Sequence, residues 1–392
     1  MLLSPLVNTR LEIEEVTDEL GLIELELEWQ SLLERAGDPT PFQSWEWIWA
    51  WWKHHGHGRL WILVARDRGV LVAILPLTIT RYRGTPLRQV RFAGAPLSDI
   101  QEPLVAPAYE ARAAQAFLAH VLDAAHLWDL CDLNDQRKGS ALTVAALPAG
   151  SRVTLEHHRT CACLALPASW DALLATLGSH MRSNVKRRRK KLVAGFATVE
   201  IAAPDHQTLP AMMEDLFRLH NRRWRKRGAP GAFADEHTRR FHQEVAWRFL
   251  ERGWLRLYVL RLDGQARGAF YGFQYRRRVY HYLSGFDHEV RRLAPGIVLM
   301  AHAIERAIGE GATQFDMLRG DESYKYYWKP AERETQRMLI GHPSVRSSMA
   351  LRAHRLERYL ERHGVAMQKR LWGERPLRQG PTAVARAAAL RR

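Results

Sequence analysis

The residues best suited to chemistry lie between Ala269 and Lys329. Arg291 and Arg292 stand just before Pro295-Gly296, a typical helix start because proline fixes φ at the first helical position. Free amides and the dipole at a helix start attract anions, and two guanidinium groups would strengthen that attraction. Gly296 would let a phosphate approach the backbone closely. The pattern predicts a pyrophosphate site, and an ordinary helix start beside two surface arginines is the alternative.

A second reactive segment, RGDESYKYYW, follows the predicted strand 315–318. Ligand crevices in α/β sheets form outside the carboxyl ends of strands. Asp321 or Glu322 could take a proton from an attacking amine, directly or through water. Tyr324 could protonate the leaving group, and Lys325 could hold a phosphate or an oxyanion. These four residues are the predicted catalytic group, and a polar loop without a catalytic role is the alternative.

Further polar residues near these segments are candidates for binding a substrate. His281 lies on the strand that leads to the arginines, and Asp287 follows that strand. The run SHMRSNVKRRRKKL, residues 179–192, is predicted to form a helix with basic residues on all of its faces. Such a helix is usually exposed to solvent unless it binds phosphates. The 18 histidines show neither HExxH nor a paired spacing, so the sequence predicts no metal site.

The elements that would position these residues follow the same order in each half of the chain. The first half is predicted to form helices 25–35 and 44–55, strands 60–65, 70–80 and 88–93, helix 109–125, and strands 128–133 and 153–166. The second half is predicted to form helices 209–227 and 236–251, strands 254–262, 267–275 and 279–285, helix 295–310, and strand 313–317. Antiparallel strands followed by a crossover helix predict a mixed α/β sheet with helices on its faces. The repeated order predicts a duplicated domain.

Composition and charge limit the class of protein. The 392 residues carry a net charge of +16, with −6 on residues 1–150 and +22 on the remainder. The positive part should attract polyanions such as nucleic acid, anionic lipid or phosphate-bearing substrates. There is no apolar run long enough to span a membrane, no basic leader before the N-terminal apolar residues, and no CxxC pair among the three cysteines. We therefore expect a cytoplasmic protein.

The segment from the strand through Arg292-Leu-Ala-Pro-Gly-Ile to the helix resembles the acetyl-CoA-binding segment of GNAT acyltransferases. The resemblance implies an acyl-CoA co-substrate, acetyl-CoA or another, held by Arg291, Arg292, Gly296 and Ile297, and a tyrosine as proton donor. Pro295 and Ile297 stand where that family has glycine and a small residue. The departure fits Fem-type aminoacyl transferases, which contain two GNAT-like domains and a degenerate loop.

A narrower resemblance covers about residues 20–341. PFQSWEWIWAWWKHHG, RSNVKRRRKKL and the pair LAPGIVLMAHAIERAIGEG and FDMLRGDESYKYYWKP are similar to bacterial GNAT acetyltransferases associated with cellulose biosynthesis. The resemblance implies tandem GNAT-like domains at 1–150 and 196–341. A bridging strand and basic helix at 151–195 and a basic helical tail at 342–392 complete the predicted organisation. In a Fem-like chain, Arg187 and Arg188 could hold a nucleotide-linked or lipid-linked acceptor, or tRNA.

The function expected from these features is transfer of an acetyl or other acyl group from acyl-CoA to an amine on a small molecule or precursor. The link to exopolysaccharide or cell-envelope synthesis comes from the resemblance alone. A Fem-like transferase that uses aminoacyl-tRNA is one alternative. A non-catalytic basic module that binds anionic polymer or a membrane synthase complex is another. The sequence leaves the acceptor and the oligomeric state open.

Overall fold

The computed structural model describes residues 10–145, 152–226, 228–320 and 322–372, and describes no side chain beyond residue 360. The chain divides into two compact units. Of the described residues, the first unit takes those in Met1–Trp52, Gly56–His158 and Thr335–Gly364. The second takes those in Lys53–His55, Arg159–Glu334 and Val365–Arg392.

Strands and helices alternate along the whole described chain. The elements up to residue 165 are β1 (Glu12–Val16), α1 (Glu19–Glu24), α2 (Glu26–Arg35), α3 (Trp45–His55), β2 (Arg59–Asp67), β3 (Val70–Arg81), β4 (Arg88–Phe92), β5 (Leu104–Val105), α4 (Glu110–Asp123), β6 (Leu130–Arg137), α5 (Ala141–Val144) and β7 (Arg152–Ala165). The later elements are α6 (Trp170–Thr176), α7 (Ser179–Gly195), β8 (Val199–Ala202), α8 (Leu209–Arg225), α9 (Glu236–Glu251), β9 (Leu255–Leu262), β10 (Gln265–Tyr275), β11 (Arg278–Phe286), α10 (Pro295–Gly309), β12 (Gln314–Arg319), α11 (Ser323–Tyr326), β13 (Ala331–Gly341) and α12 (Val345–Trp372).

Each unit contains a mixed sheet built in the same way. In the first unit the strand order is β1-β2-β3-β4-β6-β13, and β5 pairs with β3. In the second unit the order is β7-β12-β11-β10-β9-β8. The described pairings are antiparallel except for one parallel pair in each unit, β4 with β6 and β11 with β12. A helix, α4 or α10, connects the two strands of each parallel pair, as a parallel connection requires.

Local sequence explains the elements that lead to the parallel pair of the second unit. The Asp235 carboxylate accepts a hydrogen bond from the Thr238 amide and so caps α9. Asp263 and Gly264, both at positive φ, form the tight turn between β9 and β10. Gly285 on β11 is required by close packing, because a Cβ there would lie 2.5 Å from the backbone nitrogen of His220 on α8.

The core of the second unit fills the space between its sheet and the helices α7 and α10. Leu260, Phe270 and Phe315 from three strands are at most 1% exposed and pack with Ala301 and Ile304 of α10. The predicted fold class, a mixed α/β sheet with helices on its faces in each half of the chain, is confirmed. The elements predicted from the sequence did not include the strands β1, β5, β8 and β13 or the short helices α1, α5 and α6, and the residues of α11 were predicted to lie in a loop.

Candidate active site

The candidate site lies where the parallel strands of the second unit stop pairing. Backbone pairing between β11 and β12 runs from Arg278 with Gln314 to Tyr280 with Asp316. Both strands continue beyond that point, β11 to Phe286 and β12 to Arg319. Carboxyl ends of neighbouring parallel strands are the usual place for a ligand crevice.

A short turn carries the chain from β11 to the start of α10. Asp287 is 1% exposed and accepts hydrogen bonds from Arg267 (2.6 Å), Arg222 (3.2 Å) and the Glu289 amide (3.0 Å). Burial alone would raise the pKa of Asp287, but these donors outweigh it and the pKa is lowered. Asp287 therefore anchors the turn that delivers the two arginines, and its predicted role in substrate binding stays a prediction.

Cationic groups gather at the start of α10. Arg291 and Arg292 are exposed, and no side chain in the described part of the chain caps the helix. Pro295 has no N–H, while the Ile297 and Val298 amides donate to the carbonyl of Ala294, which is in the left-handed conformation. The Gly296 amide is thus the first-turn donor that a ligand can reach. A Cβ on Gly296 would meet nothing closer than 3.9 Å, so neighbouring atoms do not crowd the Cα of this residue.

The basic helix α7 packs in the same unit and reaches this spot. Its apolar residues Met181, Val185 and Leu192 are buried in the core. The Arg188 guanidinium donates to the carbonyl of Arg292. Arg187 is exposed, and its hydrogen bond goes to Asn184 of its own helix. The structure therefore brings Arg188, but not Arg187, to the start of α10.

Lys325 organises the loop that follows β12. Its Nζ donates to the carbonyls of Leu318 (3.3 Å), Arg319 (2.9 Å) and Gly320 (3.3 Å), and lies 2.9 Å from Glu322 Oε2. The side chain is 3% exposed. All of its donors are used, so Lys325 holds the loop and supplies positive charge rather than a free hydrogen bond for a ligand.

Glu322 and Tyr324 lie on this loop. Glu322 packs against Gly320, where a Cβ would be 2.5 Å from the carboxylate and where φ is +116°. Tyr324 is half-buried against the core beside α10. Burial, and then the negative charge of Glu322, raise the pKa of Tyr324, so the phenol stays protonated and can donate a proton. The fourth predicted catalytic residue, Asp321, lies outside the described residues.

His281 lies on β11, directly after Tyr280, the last residue of β11 that pairs with β12. It is 4% exposed and stacks on Phe270 at 4.7 Å between ring centroids. Neither ring nitrogen has a hydrogen-bond partner among the described residues. Burial, followed by the charges of Lys325 and Arg223, lowers the pKa of His281 to about 3, so the ring is neutral near pH 7. An unpartnered buried imidazole is costly, which is the condition expected where a ligand supplies the partner.

Two residues of this region were not found from the sequence. Arg223 at the end of α8 lies over the Phe286 ring at 4.7 Å, and its charge acts on both His281 and Tyr324. Asp316 is 2% exposed, accepts a hydrogen bond from the Leu318 amide at 2.8 Å, and has a pKa raised by burial. The run RRWRKR marks Arg223 as basic, but only the packing of α8 on β11 brings it to the site.

Among the described residues, no three His, Cys, Asp or Glu side chains gather in a way that could hold a metal ion. No helix in this part of the chain is both long and apolar enough to cross a bilayer.

Comparison with known proteins identifies the class. Residues 179–326 match the family model described as an acetyltransferase (GNAT) domain. The matched range contains α7, α10, His281 and the Lys325 loop. Residues 179–326 therefore form an acetyltransferase (GNAT) domain, which confirms the prediction of a transferase.

Solved structures share the fold of most of the chain at low identity. FemX is 12% identical, with 83% of this chain and 96% of that chain covered and a TM-score of 0.58. A conserved protein of unknown function from Bacteroides thetaiotaomicron is 10% identical (84% and 100% covered, TM-score 0.55). L-PGS from Bacillus licheniformis is 14% identical (87% and 97% covered, TM-score 0.52). These likenesses establish the fold alone, which is the fold that the Fem-type resemblance implies. No protein with a curated description matches the chain.

Proposed function

We propose that this protein transfers an acetyl or other acyl group from acyl-CoA to an amine, with the chemistry in the second unit. The observation that carries the proposal is His281, a buried imidazole at the carboxyl end of the parallel pair that has no hydrogen-bond partner among the described residues. The uncapped start of α10 and the exposed Arg291 and Arg292 lie at the same edge of the sheet.

In this proposal the start of α10 holds the CoA pyrophosphate. The Gly296 amide donates to one phosphate, and Arg291 and Arg292 supply charge-assisted hydrogen bonds. Ile297 contributes an apolar flank, since its amide is occupied by Ala294. Arg188 supports the site by fixing the carbonyl of Arg292.

The remaining groups suit acyl transfer. The amine nitrogen attacks the thioester carbonyl carbon and forms the C–N bond, and the carbonyl oxygen becomes an oxyanion. His281 donates its ring N–H to that oxygen, and the charges of Lys325 and Arg223 stabilise it. When the C–S bond breaks, the carbonyl re-forms and the thiolate leaves. Glu322 takes the amine proton and Tyr324 protonates the thiolate.

Calorimetric titration of the full chain with acetyl-CoA tests the donor. We expect binding that weakens at least tenfold for each arginine removed in Arg291→Gln and Arg292→Gln, because each loses charge-assisted phosphate contacts. Arg240→Gln, at an exposed arginine of α9, is the matched control and should bind like the wild type. No heat and no thermal shift at millimolar acetyl-CoA would reject acyl-CoA as the donor.

Aminoacyl-tRNA is the second candidate donor. A single backbone amide at the start of α10 would bind a pyrophosphate only weakly. Helix α7 exposes several basic side chains: Arg182, Lys186, Arg187, Lys190 and Lys191. The motif resemblance to Fem-type aminoacyl transferases also supports such a donor. Co-purified RNA that stays bound at moderate salt would favour tRNA, whereas binding lost near physiological salt would indicate charge alone.

We propose that the acceptor is an amine on a small molecule or on an exopolysaccharide or cell-envelope precursor in the cytoplasm, with Arg187 and Arg188 available to an anionic or lipid-linked one. The support is the motif resemblance together with the basic face of α7. Thiol release from acetyl-CoA, followed across amino sugars, peptide amines and hydroxyl acceptors, identifies the class. Release with hydroxyl acceptors alone would contradict N-acylation.

A further inference from the structure

Helix α12 presents an apolar stripe to solvent over its first turns. Five large apolar side chains are exposed over 55–77% of their surface: Val345, Met349, Leu356, Tyr359 and Leu360. Their spacing places them along one side of the helix, since an α-helix has 3.6 residues per turn. Exposed apolar surface arranged in a continuous stripe marks an interaction site more often than scattered apolar residues do.

The opposite side of α12 is fixed to the first unit. Ser347 and Ala350 are fully buried, and His354 is 4% exposed. Ala350 packs in an apolar cluster with Tyr82, Leu130 and Leu339. The helix is therefore held by one face while its apolar stripe points away from the core that holds it.

Positive charge accompanies the stripe. Arg352 lies at its middle and Arg355 beside it, and both are exposed. Residues 342–392 contain 12 lysines and arginines against three acidic residues. A helix with an apolar side bordered by arginine is the pattern that anionic membrane surfaces bind, because the apolar side enters the headgroup boundary and the arginines meet lipid phosphates.

A second copy of this chain is a poorer match for the stripe. Antiparallel pairing of two α12 helices about their centre would bring the two Arg352 guanidinium groups together, and like charges at close range repel. An anionic surface instead complements Arg352 and Arg355 at the same time.

We propose that α12 docks the protein onto the surface of an anionic lipid bilayer. The apolar stripe lies in the plane of the membrane at the boundary between headgroups and acyl chains, and Arg352 and Arg355 contact the phosphates. This inference is independent of the acyl donor and of the acceptor.

Binding of the full chain to lipid vesicles tests the proposal. We expect binding to vesicles with phosphatidylglycerol and little binding to vesicles of phosphatidylcholine alone. Leu356→Glu should weaken binding at least tenfold, because it places a charge where an apolar side chain enters the bilayer. Leu27→Glu is the matched control at a leucine of α2 that is 78% exposed, and it should bind like the wild type.

The arginines give a second, separate measurement. Arg352→Gln and Arg355→Gln should each weaken binding about fivefold, which corresponds to ~1 kcal/mol per basic residue at an anionic surface. A polarity-sensitive dye on Leu360→Cys should shift to the blue with phosphatidylglycerol vesicles, while the same dye on Leu27→Cys should not. All substituted positions are exposed, so the fold should be kept.

Three results would overturn the proposal. One is the absence of binding at millimolar phosphatidylglycerol. Another is vesicle binding that is unchanged in Leu356→Glu and in the arginine variants, because the contact would then lie elsewhere, such as on α7. The third is a concentration-dependent dimer in sedimentation equilibrium that Leu356→Glu abolishes, because a second copy would then occupy the stripe.

Discussion

Replacing His281 by phenylalanine tests two effects of this residue separately. One is its effect on the free energy of unfolding, and the other is its role in the proposed reaction. The ring is buried, stacked on Phe270, and neutral in the folded state, with a pKa of about 3. In the unfolded chain an ordinary histidine gains a proton below about pH 6.5. The unfolded state therefore binds more protons between these two values, and stability falls as the pH is lowered through that range.

The size of this effect follows from the difference between the two pKa values. Between the two pKa values, each pH unit changes the free energy of unfolding by ~1.36 kcal/mol. The part of this range from pH 6.5 to pH 5 covers roughly 1.5 units. His281 should thus lower the free energy of unfolding of the wild type by about 2 kcal/mol as the pH falls from 8 to 5. His281→Phe removes that pH dependence, so the stability of the variant relative to the wild type should rise by about this amount between pH 8 and pH 5.

Urea unfolding of both proteins at pH 8, 7, 6 and 5 measures the difference. Other buried histidines contribute equally to the two proteins and cancel. His180→Phe, at an exposed position of α7, is the matched control and should follow the wild type at each pH. Curves for wild type and His281→Phe that stay parallel from pH 8 to pH 5 would refute the reasoning, because His281 would then keep its proton equilibrium on folding.

The same variant addresses the reaction at pH 7.5. Loss of a hydrogen-bond donor to an oxyanion typically costs about 10²–10³ in turnover. We therefore expect His281→Phe to lower kcat in the thiol-release assay by this factor while His180→Phe has no effect. Full turnover in His281→Phe would remove His281 from the proposed chemistry, whatever the unfolding curves show.

Three further variants test the loop and the helix contact. Lys325→Met should cost ~3–5 kcal/mol in urea unfolding, because Glu322 and three carbonyls lose their buried partner; a loss under 1 kcal/mol would contradict this. Tyr324→Phe should lower kcat about 10²-fold with KM within twofold and the unfolding temperature unchanged, and an unchanged kcat would exclude it as proton donor. Gly285→Ala should lower the unfolding temperature by several degrees through its clash with α8, and an unchanged temperature would show that the helix can move.

Much of the second unit could be predicted because its signals are local. Helix α9 matches its predicted range, 236–251, since its cap and its apolar spacing lie within one stretch of sequence. Pro295-Gly296 fixes the start of α10 in the same way. The tight turn at Asp263-Gly264 sets the boundary between β9 and β10.

The parts that could not be predicted depend on distant residues or on unusual backbone. Strand β13 pairs with β6, about 200 residues earlier, and its first four residues are exposed, so no local pattern marks it. The role of Lys325 depends on the turn at Leu318, whose φ of 56° is rare for leucine. His281 could be chosen from its place on a strand, but its lack of a partner is visible only in the packed structure.

The first unit carries a different buried polar group at the equivalent edge of its own sheet. Pairing of β4 with β6 ends at Val90 and Cys131, the counterpart of the gap between β11 and β12. There the next residue, Asp132, lies 3.0 Å from Arg337 and accepts a hydrogen bond from Gln89 at 3.1 Å. A buried carboxylate that is ion-paired with an arginine thus lies at this edge of the first unit, where the second unit carries the neutral imidazole of His281.

The ion pair with Arg337 predicts that Asp132 acts on stability alone. Asp132→Asn would leave the buried Arg337 without its charge partner and should cost ~3–5 kcal/mol in urea unfolding. At temperatures well below unfolding, KM for acyl-CoA and kcat should stay within twofold of the wild type, because no group of the proposed site is touched. A large loss of turnover without a loss of stability would mean that the first unit takes part in the reaction.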